Sequence, residues 1–363
     1  MTLKYDVCIV GAGPGGALLG YLLAKNNIST IVVERHEGID KEFRGEHLNN
    51  VGEEVLKEFN LFEKVERQGL LLMERIEYWD HGKVIKTVTP AHGNKHVGIH
   101  VPQRNLLSVL IRESEKYHNY RLMLGTKVTE LITDEKGAVT GIKAKKDDKE
   151  LTITSSIVIG ADGRYSTIRK LANMPFNIIK HGYDLLWAKI PSPTGWEPTI
   201  KQTLIDNKQL ALFTQAGGFI QIGWNIKEGS YPQLRKQSFE PFIKRVTAAF
   251  PELSTTIRKH IISWNNFILL QVQSCYCETW VKDGLVIMGD AAHTMSPTGA
   301  LGINCALKDA SILCEVIKEA LDQKDTSVHQ LIKFENGRRD EIEKLQTHQM
   351  IQEASYKSNF AVS

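Results

Sequence analysis

Tyr5-Asp6-Val7-Cys8-Ile9-Val10-Gly11-Ala12-Gly13-Pro14-Gly15-Gly16 carries a short apolar, β-branched run straight into a glycine-rich turn. Such a run suits a strand buried on both faces, as in a parallel sheet. Ala17-Leu18-Leu19-Gly20-Tyr21-Leu22-Leu23-Ala24 follows, apolar nearly all round, as expected of a helix wedged between layers, and Asn26-Asn27 stops it. Thr30-Ile31-Val32-Val33 is a second strand, closed by Glu34 and Arg35. Strand, glycine turn, helix, strand and acid in that order form a dinucleotide-binding βαβ unit. Gly11 permits the tight turn, Gly13 leaves room for a pyrophosphate, and Gly16 lets the helix pack on the strand. The helix start at Pro14-Gly15 faces the phosphates, and the Glu34 carboxylate would accept hydrogen bonds from a ribose.

Outward from this unit, 363 residues suffice for about two domains with substantial cores. Composition is globular, 42% apolar and 24% charged, which leaves little room for long disorder. A net charge of +3 without a dense Lys/Arg cluster interleaved with aromatics argues against a nucleic-acid partner. Cys8, Cys275, Cys277, Cys305 and Cys314 are an odd number scattered through apolar segments. They read as buried, reduced thiols of a cytoplasmic protein. Cys275-Tyr276-Cys277 lacks a His or acid at ligand spacing, so no metal site is expected. The first strand begins almost at Met1, so no signal peptide is expected, and no apolar run reaches transmembrane length.

After Glu34 the polar stretch to Asn50 contains Arg44-Gly45-Glu46-His47: either a solvated loop, or a place where Arg44 meets a diphosphate or ring edge. Asp80-His81-Gly82 marks a hairpin between Arg75–Trp79 and Lys83–Val88. Gln103 and Arg104 open a helix with Leu106, Leu107, Leu110 and Ile111 at helical spacing, facing a ligand or merely capping the turn. Ile157-Val158-Ile159 is another buried strand ending in Gly160-Ala161-Asp162-Gly163, with Ser166 as the N-cap of the next helix. Asp162 there either accepts bonds from a ligand's hydroxyls or caps that turn. Phe176 to Gln273 changes character, with many strands and aromatics. In Phe219–Ile226, after the Ala216-Gly217-Gly218 turn, Ile220, Ile222, Trp224 and Ile226 share the expected core face, while Phe219, Gln221 and Asn225 share the other. That second face lines a cavity or belongs to an ordinary two-sided sheet.

A third glycine-rich site follows the strand Leu285-Val286-Ile287-Met288: Gly289-Asp290-Ala291-Ala292-His293, then Pro297, Gly299, Gly302, Ile303 and Asn304 at the start of a long helix. This pattern resembles the flavin-binding signature of class A flavoprotein monooxygenases, the para-hydroxybenzoate hydroxylase-like family. Gly160-Ala161-Asp162-Gly163 resembles that family's Asp-Gly motif, the opening turn its FAD fingerprint, and Phe334-Glu335-Asn336-Gly337-Arg338-Arg339 its helical Glu-x-x-Arg-Arg feature. Arg44 and the Gln103-Arg104 pair fall where such proteins carry flavin contacts. Three motifs in order span most of the chain; Phe176 to Gln273 matches only in architecture.

The resemblance implies an α/β fold: a Rossmann-like FAD-binding domain (1–74, 101–175 and 276–325) interleaved with a mixed β-sheet substrate domain (75–100 and 176–275), plus a C-terminal helical segment (326–363). It implies FAD as cofactor, held by Gly11, Gly13, Pro14, Gly15, Gly16, Glu34, Arg35, Arg44, Gln103, Arg104, Asp162, Gly163, Gly289, Asp290, Pro297, Gly299, Gly302, Ile303 and Asn304. Asp290 would accept from the ribityl hydroxyls, and the helix starting near Gly302 would stabilise anionic reduced flavin. His293 is expected to pack and hydrogen-bond locally. The implied reaction inserts one oxygen atom from O2 into an aromatic or lipophilic small molecule, by way of a flavin C4a-hydroperoxide. NADH or NADPH is the transient electron donor, or a separate flavin reductase supplies reduced flavin. His47, Gln215, Gln221, Pro297 and Gly299 are the candidates to border the chemistry. A related reductase or halogenase, or a flavin-containing binding protein, are the rivals; Gly223-Trp224-Asn225-Ile226 lacks the second Trp and the Pro of a halogenase's Trp-x-Trp-x-Ile-Pro.

Overall fold

The computed structural model describes residues 2–39 and 46–360. Its core is a sheet in which Val281–Lys282, Leu285–Ile287, Lys149–Gly160, Thr2–Val10, Thr30–Val33 and Tyr120–Met123 lie side by side in that order. Its pairings are parallel except that of Val281–Lys282 with Leu285–Ile287, and Val139–Lys146 and Lys127–Thr133 extend the long strand as an antiparallel arm. Val7 to Val10 and Thr30 to Val33 are buried throughout, as uniformly apolar parallel strands require. The helix Pro14–Lys25 packs on this sheet through Gly20, where a Cβ would come within 2.9 Å of Val32. Asn27, in the left-handed region at φ 61°, ends it.

A second sheet orders Ile268–Cys277, Phe176–Pro191, Phe219–Lys227, Lys208–Gln215, Thr199–Ile205, Arg75–Asp80 and Lys83–Val88. All its pairings are antiparallel except Thr199–Ile205 with Arg75–Asp80. Both expected hairpin turns have consecutive positive φ, 45° and 74° at His81-Gly82 and 88° and 79° at Gly217-Gly218, which matches strand twist. The back face of this sheet packs Ile220, Ile222, Trp224 and Ile226 against Phe242, Trp264 and Phe267 as a separate core. A small sheet of His47–Leu48, Gly98–His100 and Leu71–Met73 stands beside the start of the helix Gln103–Ser114.

The helices Leu301–Gln323 and Val328–Ser355 close the fold, with Leu331, Phe334 and Ile342 buried and Leu345 half-buried on the longer one. All five cysteines are buried and unbridged; Cys275 and Cys277 sulfurs lie 3.8 Å apart. No helix among the described residues is long and apolar enough to cross a membrane.

Candidate active site

The glycine turn separates packing glycines from an open one. A Cβ on Gly11 (φ 108°) would lie 2.3 Å from the Ala161 carbonyl oxygen, and one on Gly16 2.1 Å from that of Gly11. Gly15 faces the Ala306 carbonyl oxygen at 2.9 Å, whereas a Cβ on Gly13 meets nothing within 4 Å. The helix that begins at Pro14 has no side-chain cap and no acid in its first turn. Buried Glu34 sits beside this turn and accepts from the Ala12 N–H at 3.1 Å, as well as from the His36 N–H. Arg35 is exposed immediately after it.

A second uncapped helix start, Leu301, lies near Asp290: a Cβ at Gly302 would be 3.6 Å from Asp290 Oδ1. Gly163 also borders open space, Gly289 takes φ 57° as the strand turns toward Asp290, and Pro297-Thr298-Gly299 runs half-buried to exposed before the helix. Arg104 is exposed at the start of the helix Gln103–Ser114, whose Gln103 is buried. Arg44 lies outside the described residues. Two positive helix ends, the open Gly13 and Gly163 and the Glu34 and Asp290 carboxylates offer donors and acceptors of the kind that an FAD diphosphate, ribose and ribityl chain require.

Two residues expected at the cofactor carry local bonds, and a third lies in the core. The Asp162 carboxylate accepts from Ser166 Oγ and from the Thr167 and Ile168 N–H groups at the start of the following helix. Asn304 Nδ2 donates to the His47 and Ala300 carbonyls, and its Oδ1 accepts from the Asn49 N–H, which fastens the His47 strand to the helix start. Ile303 is core. His293 is structural as expected: its Nε2 lies 2.7 Å from Asp309 Oδ2, and its ring packs on Trp280.

Where the small sheet meets the second sheet, a polar cluster forms under aromatic cover. His100 Nδ1 accepts from the Ala216 N–H at 3.0 Å, so its Nε2 carries the proton and donates to Glu46 Oε2 at 3.2 Å. Glu46 Oε1 accepts from the Gln103 N–H, and the Gln215 amide donates to Gln221 Oε1 and to Glu46. The His47 ring touches both His100 and Phe213, and Phe213 in turn touches Trp187. Gly223 makes space for Trp187, since a Cβ there would come within 2.5 Å of the indole. His47 Nε2 and Gln215 Oε1 are buried without a hydrogen-bond partner among the described residues. The structure thus brings His47, Gln215 and Gln221 together, with Pro297 and Gly299 on the separate loop.

Although His47 as a residue is half-buried, its Nε2 is sealed from solvent. Burial, aided by His100, pushes its pKa down to about 3. The unfolded chain therefore binds a proton that the folded chain refuses. His47 contributes stability that is full above pH ~6.5 and declines as pH falls toward 3, by up to ~1.4 kcal/mol per pH unit. His47→Gln should flatten that part of the stability–pH curve, measured by urea unfolding from pH 7 to 4; an unchanged slope would contradict the assignment.

Sequence reasoning did not reach His100, Glu353, His181 or Tyr183. Their partners are 54 to 172 residues away in the chain, and no local spacing marks them.

A glycine-turn βαβ unit joined to a mixed sheet, with an open dinucleotide cradle beside a polar–aromatic face, defines an FAD-binding oxidoreductase. Residues 4–346 match the model of a family described as "FAD binding domain", and the chain belongs to this FAD-binding monooxygenase family. It is 31% identical over 361 residues to 6-methylpretetramide 4-monooxygenase of Streptomyces rimosus, covering 99% of this chain and 86% of the relative. Kynurenine 3-monooxygenase of Sus scrofa is 27% identical over 345 residues, 88% of this chain and 69% of its own. The solved structure of PqsL from Pseudomonas aeruginosa shares the fold, with a TM-score of 0.83 at 18% identity over 97% of this chain and 96% of its own. The chain is an FAD-dependent monooxygenase.

Proposed function

We propose that this protein hydroxylates a planar aromatic molecule bearing hydroxyl or carbonyl groups, using O2 and electrons from NADH or NADPH. One observation carries the reading: His47 Nε2 and Gln215 Oε1, both buried and without a partner among the described residues, belong to one cluster beside the Trp187–Phe213 pair. An orphaned buried polar atom is costly unless a ligand satisfies it, and two neutral ones beside aromatic rings suit a flat, polar-edged substrate better than an ion. The relative of Streptomyces rimosus, named for oxygenating 6-methylpretetramide, is in keeping with this.

FAD, when bound, supplies the activation of dioxygen. Gly13, Glu34, Asp290 and the two helix starts would hold it, together with Gly302, Gly163, Arg35, Arg44 and Arg104. The protein's own share is binding and orientation. Trp187 and Phe213 fix the substrate plane and keep water from it, while Gln215, Gln221 and His47 fix its polar edge. Glu46 holds His100 and the Gln215 amide in place. The nicotinamide donor visits transiently, for among the described residues there is one strand–glycine turn–helix unit of this kind.

The test mixes chemically reduced, FAD-loaded protein with oxygenated buffer, with and without planar phenols, and follows the flavin spectrum and product mass. The expected result is a transient spectrum distinct from reduced and oxidised flavin, and a product heavier by one oxygen atom that carries the label of heavy O2. Direct return to oxidised flavin, with every phenol unchanged, would overturn the proposal.

A further inference from the structure

The loop from Thr294 to Ala300 ends in two consecutive left-handed residues, Gly299 at φ 71° and Ala300 at φ 53°. Ala300 has a Cβ, so this backbone is disfavoured and persists only where neighbours over-determine it. The neighbours come from the C-terminal helix. Gln346, Gln349 and Glu353 succeed one another at spacings of three and four, on one face. Gln346 Nε2 donates to the Thr294 carbonyl at 3.2 Å and to that of Cys275. Gln349 Nε2 donates to the carbonyls of Ser296, at 2.9 Å, and Thr298.

Glu353 completes the series and does more than grip the backbone. A carboxylate only accepts, and here four side chains of two other segments donate to it. Ser296 Oγ, Thr298 Oγ1 and the Tyr183 hydroxyl meet Oε1 at 2.7, 2.6 and 3.0 Å, and His181 Nδ1 meets Oε2 at 2.6 Å. The other nitrogen of His181 reaches Ser274 Oγ at 2.8 Å. Tyr183 also meets Thr298 Oγ1 at 3.2 Å, and it lies on the strand Phe176–Pro191 at the same parity as Trp187, hence on the same sheet face. Burial alone would raise the Glu353 carboxyl, but the bonds from His181, Thr298 and Ser296 outweigh it and keep the group ionised below its usual range.

We propose that Glu353 is a positioning residue that locks the Pro297–Gly299 loop to the substrate-facing sheet, and so sets the distance between flavin and substrate. The inference rests on the placement of FAD and substrate given under Proposed function. Beside the Tyr183–Thr298 contact and the Cys275 N–H bond to the Thr294 carbonyl, this carboxylate is where side chains of both segments converge from a separate element. When that carboxylate is lost, the left-handed backbone relaxes and the flavin edge shifts relative to the substrate. The two electrons from NAD(P)H then reduce O2 to hydrogen peroxide, with two protons from solvent and donor, and the substrate leaves unoxidised.

The experiment compares holoprotein carrying Glu353→Ala, Glu353→Gln, or Ser296→Ala with Thr298→Val, against Asp290→Ala. Glu353→Ala should weaken FAD binding about tenfold, shift the visible flavin spectrum and raise the peroxide formed per NAD(P)H. Glu353→Gln should recover most of this, because its amide oxygen still accepts from Tyr183, Ser296 and Thr298. The Ser296/Thr298 pair leaves Glu353 in place, and should reproduce the spectral shift and the excess peroxide even if Glu353→Ala fails to fold. Wild-type FAD affinity, spectrum and coupling in the Ser296/Thr298 pair would overturn the lock. Asp290→Ala should lose FAD. If it does while the lock variants stay normal, only the lock fails; if FAD affinity survives Asp290→Ala, the cofactor placement falls and the lock with it.

Discussion

Asp309→Ala should destabilise the FAD-loaded protein by about 3–5 kcal/mol, because it strands a charge in the core. Asp309 and Arg338 are both fully buried. Arg338 Nε donates to Asp309 Oδ1 at 2.8 Å, while Asp309 Oδ2 accepts from the Gly289 N–H at 2.9 Å and faces His293 Nε2 at 2.7 Å. Removing the carboxylate takes the partner from the Gly289 N–H and from His293 Nε2, and leaves Arg338 only the half-exposed Glu341. Unfolding in urea, followed by fluorescence, should show a midpoint far below wild type, and a loss under 1 kcal/mol would refute the argument. The charge also sets an acid limit. Burial alone would raise the Asp309 carboxyl, but His293 and Arg338 outweigh it and hold its pKa at about 2, below the ordinary 3.8. The folded state thus binds this proton less readily than the unfolded chain does. The stabilisation is full above pH ~4 and is lost as pH falls toward 2, a decline that Asp309→Ala should lack.

Gly13→Asp and Gly11→Ala should fail in opposite ways. Gly13 has extended backbone, φ −72° and ψ 178°, and open space where its Cβ would be, so an aspartate costs the fold little. It puts bulk and negative charge where the diphosphate belongs, at the positive helix end. FAD affinity should fall at least ~100-fold, equivalent to ~2.7 kcal/mol, with the apoprotein's unfolding midpoint nearly unchanged. Gly11→Ala drives a methyl to within 2.3 Å of a backbone oxygen at φ 108°, so the apoprotein itself should be destabilised and expressed poorly. Titration of each apoprotein with FAD, alongside its urea curve, separates the two. Normal FAD binding by Gly13→Asp would remove the diphosphate from this turn.

The cofactor half of the protein was legible because its signals are local. Gly11 to Glu34 lies within one βαβ unit, so tight turn, close packing and acid follow one another at fixed spacing. Gly289-Asp290 and the helix at Leu301 repeat that logic, and the role of His293 followed from its motif. The Asp162 reading stayed open because a carboxylate beside a helix start serves a cap and a ligand equally well; the bonds from the Thr167 and Ile168 N–H groups show the first of these roles.

The substrate half was legible only as alternation. Parity in Phe219–Lys227 separated Ile220, Ile222, Trp224 and Ile226 from Gln221, yet it named no partner for Gln221. That partner, Gln215, sits across the hairpin, while Glu46 and His100 arrive from a different sheet. The sequence by itself determined the class of fold and the cofactor, since close backbone approach and buried parallel strands restrict residue type position by position. Only the tertiary structure showed that His47 Nε2 is sealed and has no partner among the described residues, that Asn304 fastens the His47 strand to the helix start, and that Glu353 bonds both loop and sheet. Side-chain contacts between segments more than 50 residues apart depend on how layers pack, and packing leaves no periodic trace along the chain.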